Sequence, residues 1–291
     1  MALDSVAHDI YRGTSGITLP TELSDEIFQK AIGESAIMRL AERVYLPGRG
    51  LSIPVITGDP IAQVVAESTE KPVSNSTFQT KTMTPYTFAV IELFSNEFRR
   101  DMPALYDALL RRLPGAIAKA FDNQVFNETA MSGFDSLANV QSITYTNDIA
   151  ASLADGLKAI GSDGYRANGF AASPYAEALL VTATDNLGRP LFMQDMANEG
   201  YVGRVFGAPV VNAPAVGGII GGDWSQAKFG IVNDIEIAIS DQVTVNDGSK
   251  QVNTWQRNMF ALRAEICAGF VCADADAFFQ IAASGATGTT A

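Results

Sequence analysis

Residues Met102 to Val125 read MPALYDALLRRLPGAIAKAFDNQV, and within them Leu105, Leu109, Leu113, Ile117, Phe121 and Val125 recur at every fourth position. That spacing lays one apolar stripe along a helix, which at about 1.5 Å per residue runs about 40 Å. Pro103 suits a first turn, Asp101 stands where an N-cap belongs, and Pro114 predicts a kink midway. A stripe of this length needs a broad apolar surface to lie on, and the flanking sequence must supply it.

Upstream, Tyr86 to Phe94 has a β-like pattern, with Thr87, Val90 and Ile91 favouring strand. Before it, Pro47-Gly48-Arg49-Gly50 marks a turn. Ser52-Ile53-Pro54-Val55-Ile56, a Gly-Asp-Pro corner and Gln63-Val64-Val65-Ala66 follow, and this text predicts two long strands of a projecting hairpin. Ser74 to Thr84 carries only Phe78 and Met83 as large apolar residues, so the section has no core of its own and needs a partner to lie on. Further back, Ile27, Phe28, Ala31 and Ile32 describe a helix face that Gly33 weakens, Met38, Leu40, Val44 and Leu46 alternate like an extended segment, and Met1 to Gly16 is an unpatterned arm.

Downstream the text becomes rich in Ala and Gly. It predicts a helix over Ile149 to Ile160, a strand near Gly169 to Ala172, a helix from Pro174 to Thr184 and β-structure around Val205 to Ala213. Gly217-Gly218-Ile219-Ile220-Gly221-Gly222 reads as a loop. Phe229 to Ile239 is a strand, Asn246-Asp247-Gly248 a turn, and an apolar run from Thr254 to Phe270, continuing to Ile281, is expected to return to the long helix. The last ten residues are of low complexity. The fold class is α+β.

Composition narrows the function. Of 291 residues 47% are apolar and 18% charged, so apolar surface in excess needs a home. The uncharged run Val205 to Gly222 contains Pro209, Pro214 and five glycines and is no spanning helix. No secretory signal is expected of Met1-Ala2-Leu3-Asp4, which places the chain in a cytoplasm. The remaining home is a neighbouring subunit. With 20 basic against 32 acidic residues the net charge is -12, which excludes tight, sequence-reading nucleic-acid binding. His8, the sole histidine, removes Ser/His/Asp and Cys/His catalysis. No nucleophile elbow, Walker loop or dinucleotide fingerprint is present. Asp274 and Asp276 read as a solvated edge, and Cys267 and Cys272, on opposite strand faces, read as free thiols. Neither a cofactor nor a metal site is expected, and no membrane partner.

The order of elements resembles the major capsid proteins of tailed bacteriophages, the Hong Kong 97-type capsid fold. The wording carries the likeness from about Leu19 to Ile281: Val64-Val65-Ala66-Glu67 with Lys71-Pro72 and Ser76-Thr77-Phe78, then Glu92-Leu93-Phe94-Ser95-Asn96-Glu97 ahead of the long helix. Gly188-Arg189-Pro190-Leu191, Gly207-Ala208-Pro209-Val210-Val211, Gly222-Asp223-Trp224-Ser225 and the ending Ala261-Leu262-Arg263-Ala264-Glu265, Gly269-Phe270, Ala277-Phe278 continue it. The resemblance implies an N-terminal arm and short helix (1–34), an extended hairpin loop with flanking strands (35–85), a peripheral domain with the long helix as its spine (86–146), an axial domain (147–223), and a return to the peripheral domain with terminal strands and tail (224–291).

What the resemblance implies of function is a structural protein without turnover. It self-assembles into pentamers and hexamers of an icosahedral shell around double-stranded DNA, built in a bacterial host cytoplasm and carried in the virion. The -12 charge suits a wall to which packaged DNA should not adhere. Implied partners are further copies of itself, a portal protein, and separate scaffold or decoration proteins. Since the chain opens at Met1 without a long charged helical leader, no fused scaffolding segment is expected. An encapsulin shell around a cargo enzyme is the alternative within the same fold. A hydrolase or transferase built on the Ala/Gly-rich middle is the alternative from another class. Some relatives of the fold fuse their subunits by an isopeptide bond between a loop lysine and an asparagine, assisted by a glutamate, and Lys71, Asn258 and Glu265 fall where the resemblance puts those three. In the plainer reading Lys71 is solvated, Asn258 makes an interface hydrogen bond and Glu265 pairs with Arg263 or Arg257. In a regular strand Asn258 and Glu265, seven apart, face oppositely and serve different contacts.

Overall fold

The computed structural model describes residues 31, 33–58, 60, 62–65, 70–71, 73–96, 102–146, 148–184, 189–190, 192–194, 201–246 and 250–282, with side chains except at 56–58, 102–111, 114, 194, 201 and 234. The N-terminal arm and the helix expected up to Ile32 lie almost wholly outside them, as do the Asp101 cap and the low-complexity tail. The expected long helix is α2, Met102–Phe126 (α1 is introduced below). Leu113, Ile117, Phe121 and Val125, the described part of its stripe, are all buried.

The surface they lie on is a four-stranded sheet in the order β1 (Glu42–Tyr45), β11 (Ala227–Ser240), β14 (Met259–Cys272), β4 (Tyr86–Ser95). β14 runs antiparallel to both of its neighbours. Leu262, Ala264, Ile266 and Phe270 from β14 and Phe88 and Val90 from β4 meet the stripe in one core. Phe88 stands edge-on to Phe121 at 5.5 Å, and Phe134 closes over both. Burying each such side chain contributes about 1.5–3 kcal/mol.

A second core forms around a seven-stranded mixed sheet, with β5 (Gln141–Thr144), β15 (Phe278–Ala282), β10 (Ile219–Gly222), β6 (Gly169–Ala172), β9 (Ala208–Asn212), β8 (Tyr201–Val205) and β7 (Phe192–Gln194) in that order. Helices α3 (Ile149–Ser162) and α4 (Pro174–Thr182) pack on it and fulfil the two helices read there. Asp148 and Ser173 cap them through their side chains. The apolar run to Ile281 divides: β14 returns to the long helix, whereas β15 crosses into the second sheet and pairs with β10 and β5. Among the described residues no helix is long and apolar enough to cross a membrane.

Three readings of the sequence are corrected. Ile219–Gly222, read as loop, is the fully buried strand β10, paired on both sides. A Cβ on Gly221 would strike the rings of Phe170 and Phe279, so glycine stands there for want of space, and the same choice erases the strand signal. Met38 and Leu40, read as extended, belong to α1, Ala36–Leu40. Its cause lies 85 residues or more away in sequence: Asp122 of α2 accepts from Ser35 Oγ at 2.6 Å, Ala36 N at 2.8 Å and Ile37 N at 3.5 Å, while Ser35 Oγ accepts from Met38 N at 3.1 Å. In the projecting hairpin, β2 (Leu51–Gly58) pairs with β3 (Thr77–Met83), from Leu51 opposite Met83 to Gly58 opposite Thr77. The apolar Gln63–Val65 stretch is not strand, and Val64 is fully exposed.

Two predictions follow from this packing. Burial of Asp122 outweighs its three donors and raises its pKa from 3.8 to about 6. The folded protein therefore favours the protonated acid relative to the unfolded chain. This contribution is fully present below the unfolded value of 3.8 and is lost as pH rises through about 6. Urea unfolding of unassembled protein should show the wild type losing about 3 kcal/mol relative to Asp122→Asn between pH 3.5 and pH 7. A difference that stays flat with pH would refute it. Gly221→Val should destabilise by about 1–3 kcal/mol or more by overpacking, whereas Gly217→Ala, with nothing within 4 Å of its Cβ, should leave the melting temperature near that of the wild type. Equal melting of the two variants would contradict the packing argument.

Candidate assembly surface

Among the described residues the buried attachment of the hairpin β2–β3 gathers at its root, where Leu51 and Ile53 of β2 also pack. In β3 only Met83 is buried and only Lys81 half-buried, while the five remaining positions are exposed. Met83 fills a small core with Leu46 and Val271. Thr84 N donates to Gly133 O at 2.6 Å, and Gly133 is required there, since its φ is 73° and a Cβ would strike Thr84. Two residues farther out, Lys81 Nζ donates to Cys272 O at 2.6 Å and lies 3.5 Å from Asp135 Oδ2. That carboxylate also accepts Cys272 N at 3.0 Å. The backbone of Cys272, at the end of β14, is thus held on both its donor and its acceptor side.

Beyond Lys81 the hairpin presents Phe78, Val73 and Val64, at 70%, 89% and 104% exposure. The four-stranded sheet is covered along one face by the long helix, and on its other face only the Val271 end is covered, by Leu46 and Met83, among the described residues. On the other face Ala89, Glu265 and Glu236 stand in register, and beside them Ile91, Arg263 and Ala238, all exposed or half-buried. At the far end of β14 a turn carries Trp255, which is 70% exposed. It is held from beneath by Thr254, whose buried Oγ1 accepts Val243 N at 3.0 Å and contacts Asp241 O at 2.9 Å. The short hairpin β12 (Thr244–Asn246) and β13 (Gln251–Asn253) flanks the turn expected at 246–248.

Within one chain, Asn258 and Glu265 of the three residues named for crosslinking are not brought together. Lys71 is exposed on the coil beyond the hairpin strands. Asn258 is not in a regular strand but precedes β14 with φ 53°, a conformation that Asn tolerates. Its Oδ1 accepts from Asn96 Nδ2 at 2.9 Å, and its carbonyl accepts Asn96 N at 2.9 Å. Glu265 is half-buried in β14 and pairs with Arg263 at 3.3 Å, one of the two partners anticipated. Seven strand residues separate Asn258 from Glu265 by about 23 Å, so within one chain the carboxylate does not serve that carboxamide.

Other chemistry is sparse. Cys267 and Cys272 are free, as expected, and burial pushes the Cys272 thiol up to about 12. Tyr165 donates to Asp274 at 2.7 Å, so that acid does structural duty rather than standing as a solvated edge. Among the described residues no group of three or more His, Cys, Asp and Glu side chains is arranged to hold a metal. The functional surface is therefore one of packing. Sequence reading missed Lys81, Asp135 and Thr254, whose partners lie too far along the chain for local spacing to signal them.

The phage capsid family matches residues 15–282. A protein of Mycobacterium phage D29 described as probable major capsid protein gp17 is 30% identical over 290 residues, covering 90% of this chain and 89% of that one. A solved structure from Mycobacterium phage Bobi superposes with a TM-score of 0.67 at 21% identity, covering 98% of this chain and 96% of the other. One from Gordonia phage Cozz gives 0.66 at 23% identity, covering 97% and 92%. All are phage proteins, and the encapsulin alternative finds no support among them. The long helix on its sheet, the rooted hairpin and the match over nearly the whole sequence lead to one conclusion: the chain belongs to the phage capsid family.

Proposed function

We propose that this chain is the major capsid protein of a tailed phage, self-assembling through pentamers and hexamers into an icosahedral shell that encloses double-stranded DNA. The observation that carries the reading is the hairpin: two strands whose apolar packing gathers at the root, in Met83, Leu51 and Ile53, with Phe78 exposed, are completed when they lie on a neighbouring subunit. Family membership makes that neighbour another copy of this chain. The chain is then a virion component with a structural rather than catalytic role. Assembly in the host cytoplasm, a portal at one vertex, and separate scaffold or decoration proteins belong to the same proposal.

In this reading α2 and the four-stranded sheet form the peripheral domain, and residues 147–223 with their sheet and helices form the axial domain near the symmetry axes. Residues 35–85 carry the extended loop. The net charge of -12 supports a wall that repels the packaged DNA. We take contacts between subunits as non-covalent, a reading supported within one chain by Asn258 being engaged by Asn96 and Glu265 by Arg263, while Lys71 stands exposed on the coil. An isopeptide bond would need Lys71 Nζ to form a bond to the Asn258 carboxamide carbon with release of ammonia, in an enclosed site that a glutamate from another subunit would have to complete.

Electron microscopy of purified particles, with the ratio of absorbance at 260 and 280 nm, tests the proposal. Closed icosahedral shells with nucleic acid inside are the expected result. Small protein-filled shells, or a dispersed monomer, would overturn it. Boiling those particles in detergent should leave a single band at 30.9 kDa, and a ladder of multiples would overturn the non-covalent reading.

A further inference from the structure

We infer that Lys81 is a positioning residue for assembly, which sets the angle at which the hairpin β2–β3 leaves the body of the subunit. The inference rests on the reading of the chain as a self-assembling shell protein. The hairpin's apolar packing gathers at its root, where Met83, Leu51 and Ile53 meet Leu46 and Val271, so its direction is set there. Met83, in its small core, is one point of attachment, with Thr84 on Gly133 directly beside it. Leu51 and Ile53 of β2 pack against the same core, Ile53 opposite Lys81; that apolar contact holds one face of the root, and a second, polar point out on β3 fixes the angle.

Lys81 is that second point. It lies two residues outward from Met83, on the same side of the strand, and its amine reaches the Cys272 carbonyl and the Asp135 carboxylate. Both acceptors are themselves fixed. Asp135 receives the Cys272 amide, and Asp135 N donates to Phe270 O at 3.1 Å, so β14 and the segment after α2 hold the receptor together. On β3 the positions outward from Lys81 are exposed.

The lever arm gives the consequence. Lys81 stands about 7 Å from Met83 along the strand and Thr77 about 20 Å, so about 1 Å of slack at Lys81 becomes about 3 Å at Thr77. Apolar contacts act within about 4–4.5 Å, and a shift of that size carries Phe78 out of register with whatever surface of the next subunit receives it. The amine adds little to the stability of a single subunit, because its pair with Asp135 is one-third exposed. Its effect falls on assembly geometry.

The test compares particles from cells producing wild type, Lys81→Met, Lys81→Arg and Asp135→Asn. Met keeps the length and apolar stem but has no donor. The expected result is that Lys81→Met subunits melt as the wild type does and lose closed particles of uniform diameter, giving open or irregular shells. Lys81→Arg, which reaches the same two acceptors, should restore uniform shells, and Asp135→Asn, which keeps the Cys272 amide paired but removes the charge facing Lys81, should broaden the diameters. Wild-type yield and diameter from Lys81→Met would overturn the inference while leaving the shell reading intact. A Lys81→Met chain that no longer folds would also overturn it, since Lys81 would then serve the fold. Failure of the wild type to form shells would overturn the shell reading and this inference with it.

Discussion

Two strands that hydrogen-bond to each other but bury only a small apolar cluster at one end are marginal in water, because they bury too little apolar surface to offset the entropy of their ordering. The hairpin Leu51–Gly58 with Thr77–Met83 is such a ribbon, and the subunit is organised around holding it by one end and offering its exposed side chains outward. The body supplies rigidity at the root: Leu46, Met83 and Val271 form the fulcrum, and the Cys272 backbone with Asp135 forms the stop. In the proposed assembly the distant end is offered to another copy of the chain.

β14 is the member on which these demands converge. Its middle lies beneath the long helix, where Leu262, Ala264 and Ile266 meet Ile117, Phe121 and Val125. Its end holds Lys81, and the chain then crosses through Asp274 and Asp276 to β15 in the second sheet. β14 thus links the receptor of Lys81 to both cores. The buried Asp122 ties Ser35, Ala36 and Ile37 to the same helix.

What was legible in the sequence divides along the range of the interactions. The long helix, β4, β6, β11 and the two helices of the second sheet carry their own periodicity, and the order of those elements was enough to suggest the family. α1 was not legible, because a carboxylate 85 residues or more away nucleates it, and β10 was not, because aromatic rings from other strands leave room only for glycine. The outer strand of the hairpin was misplaced because an exposed ribbon needs no apolar alternation: Thr77, Gln79 and Thr80 form it as well as Val64 and Val65 would. The residues first singled out, Lys71, Asn258 and Glu265, came from resemblance, whereas Lys81 and Asp135, ordinary charges in the sequence, are brought together by the Cys272 backbone between them.

The claim that the hairpin is completed only by a neighbour is tested most directly by amide hydrogen exchange, compared between unassembled subunits and intact particles. The account requires the amides of residues 51–58 and 77–83 to exchange rapidly in the free subunit and to slow strongly in the particle, while those of the buried strands Gly169–Ala172 and Ile219–Gly222 stay protected in both. Hairpin amides that exchange equally fast in the two states, or are already protected in the free subunit, would contradict it.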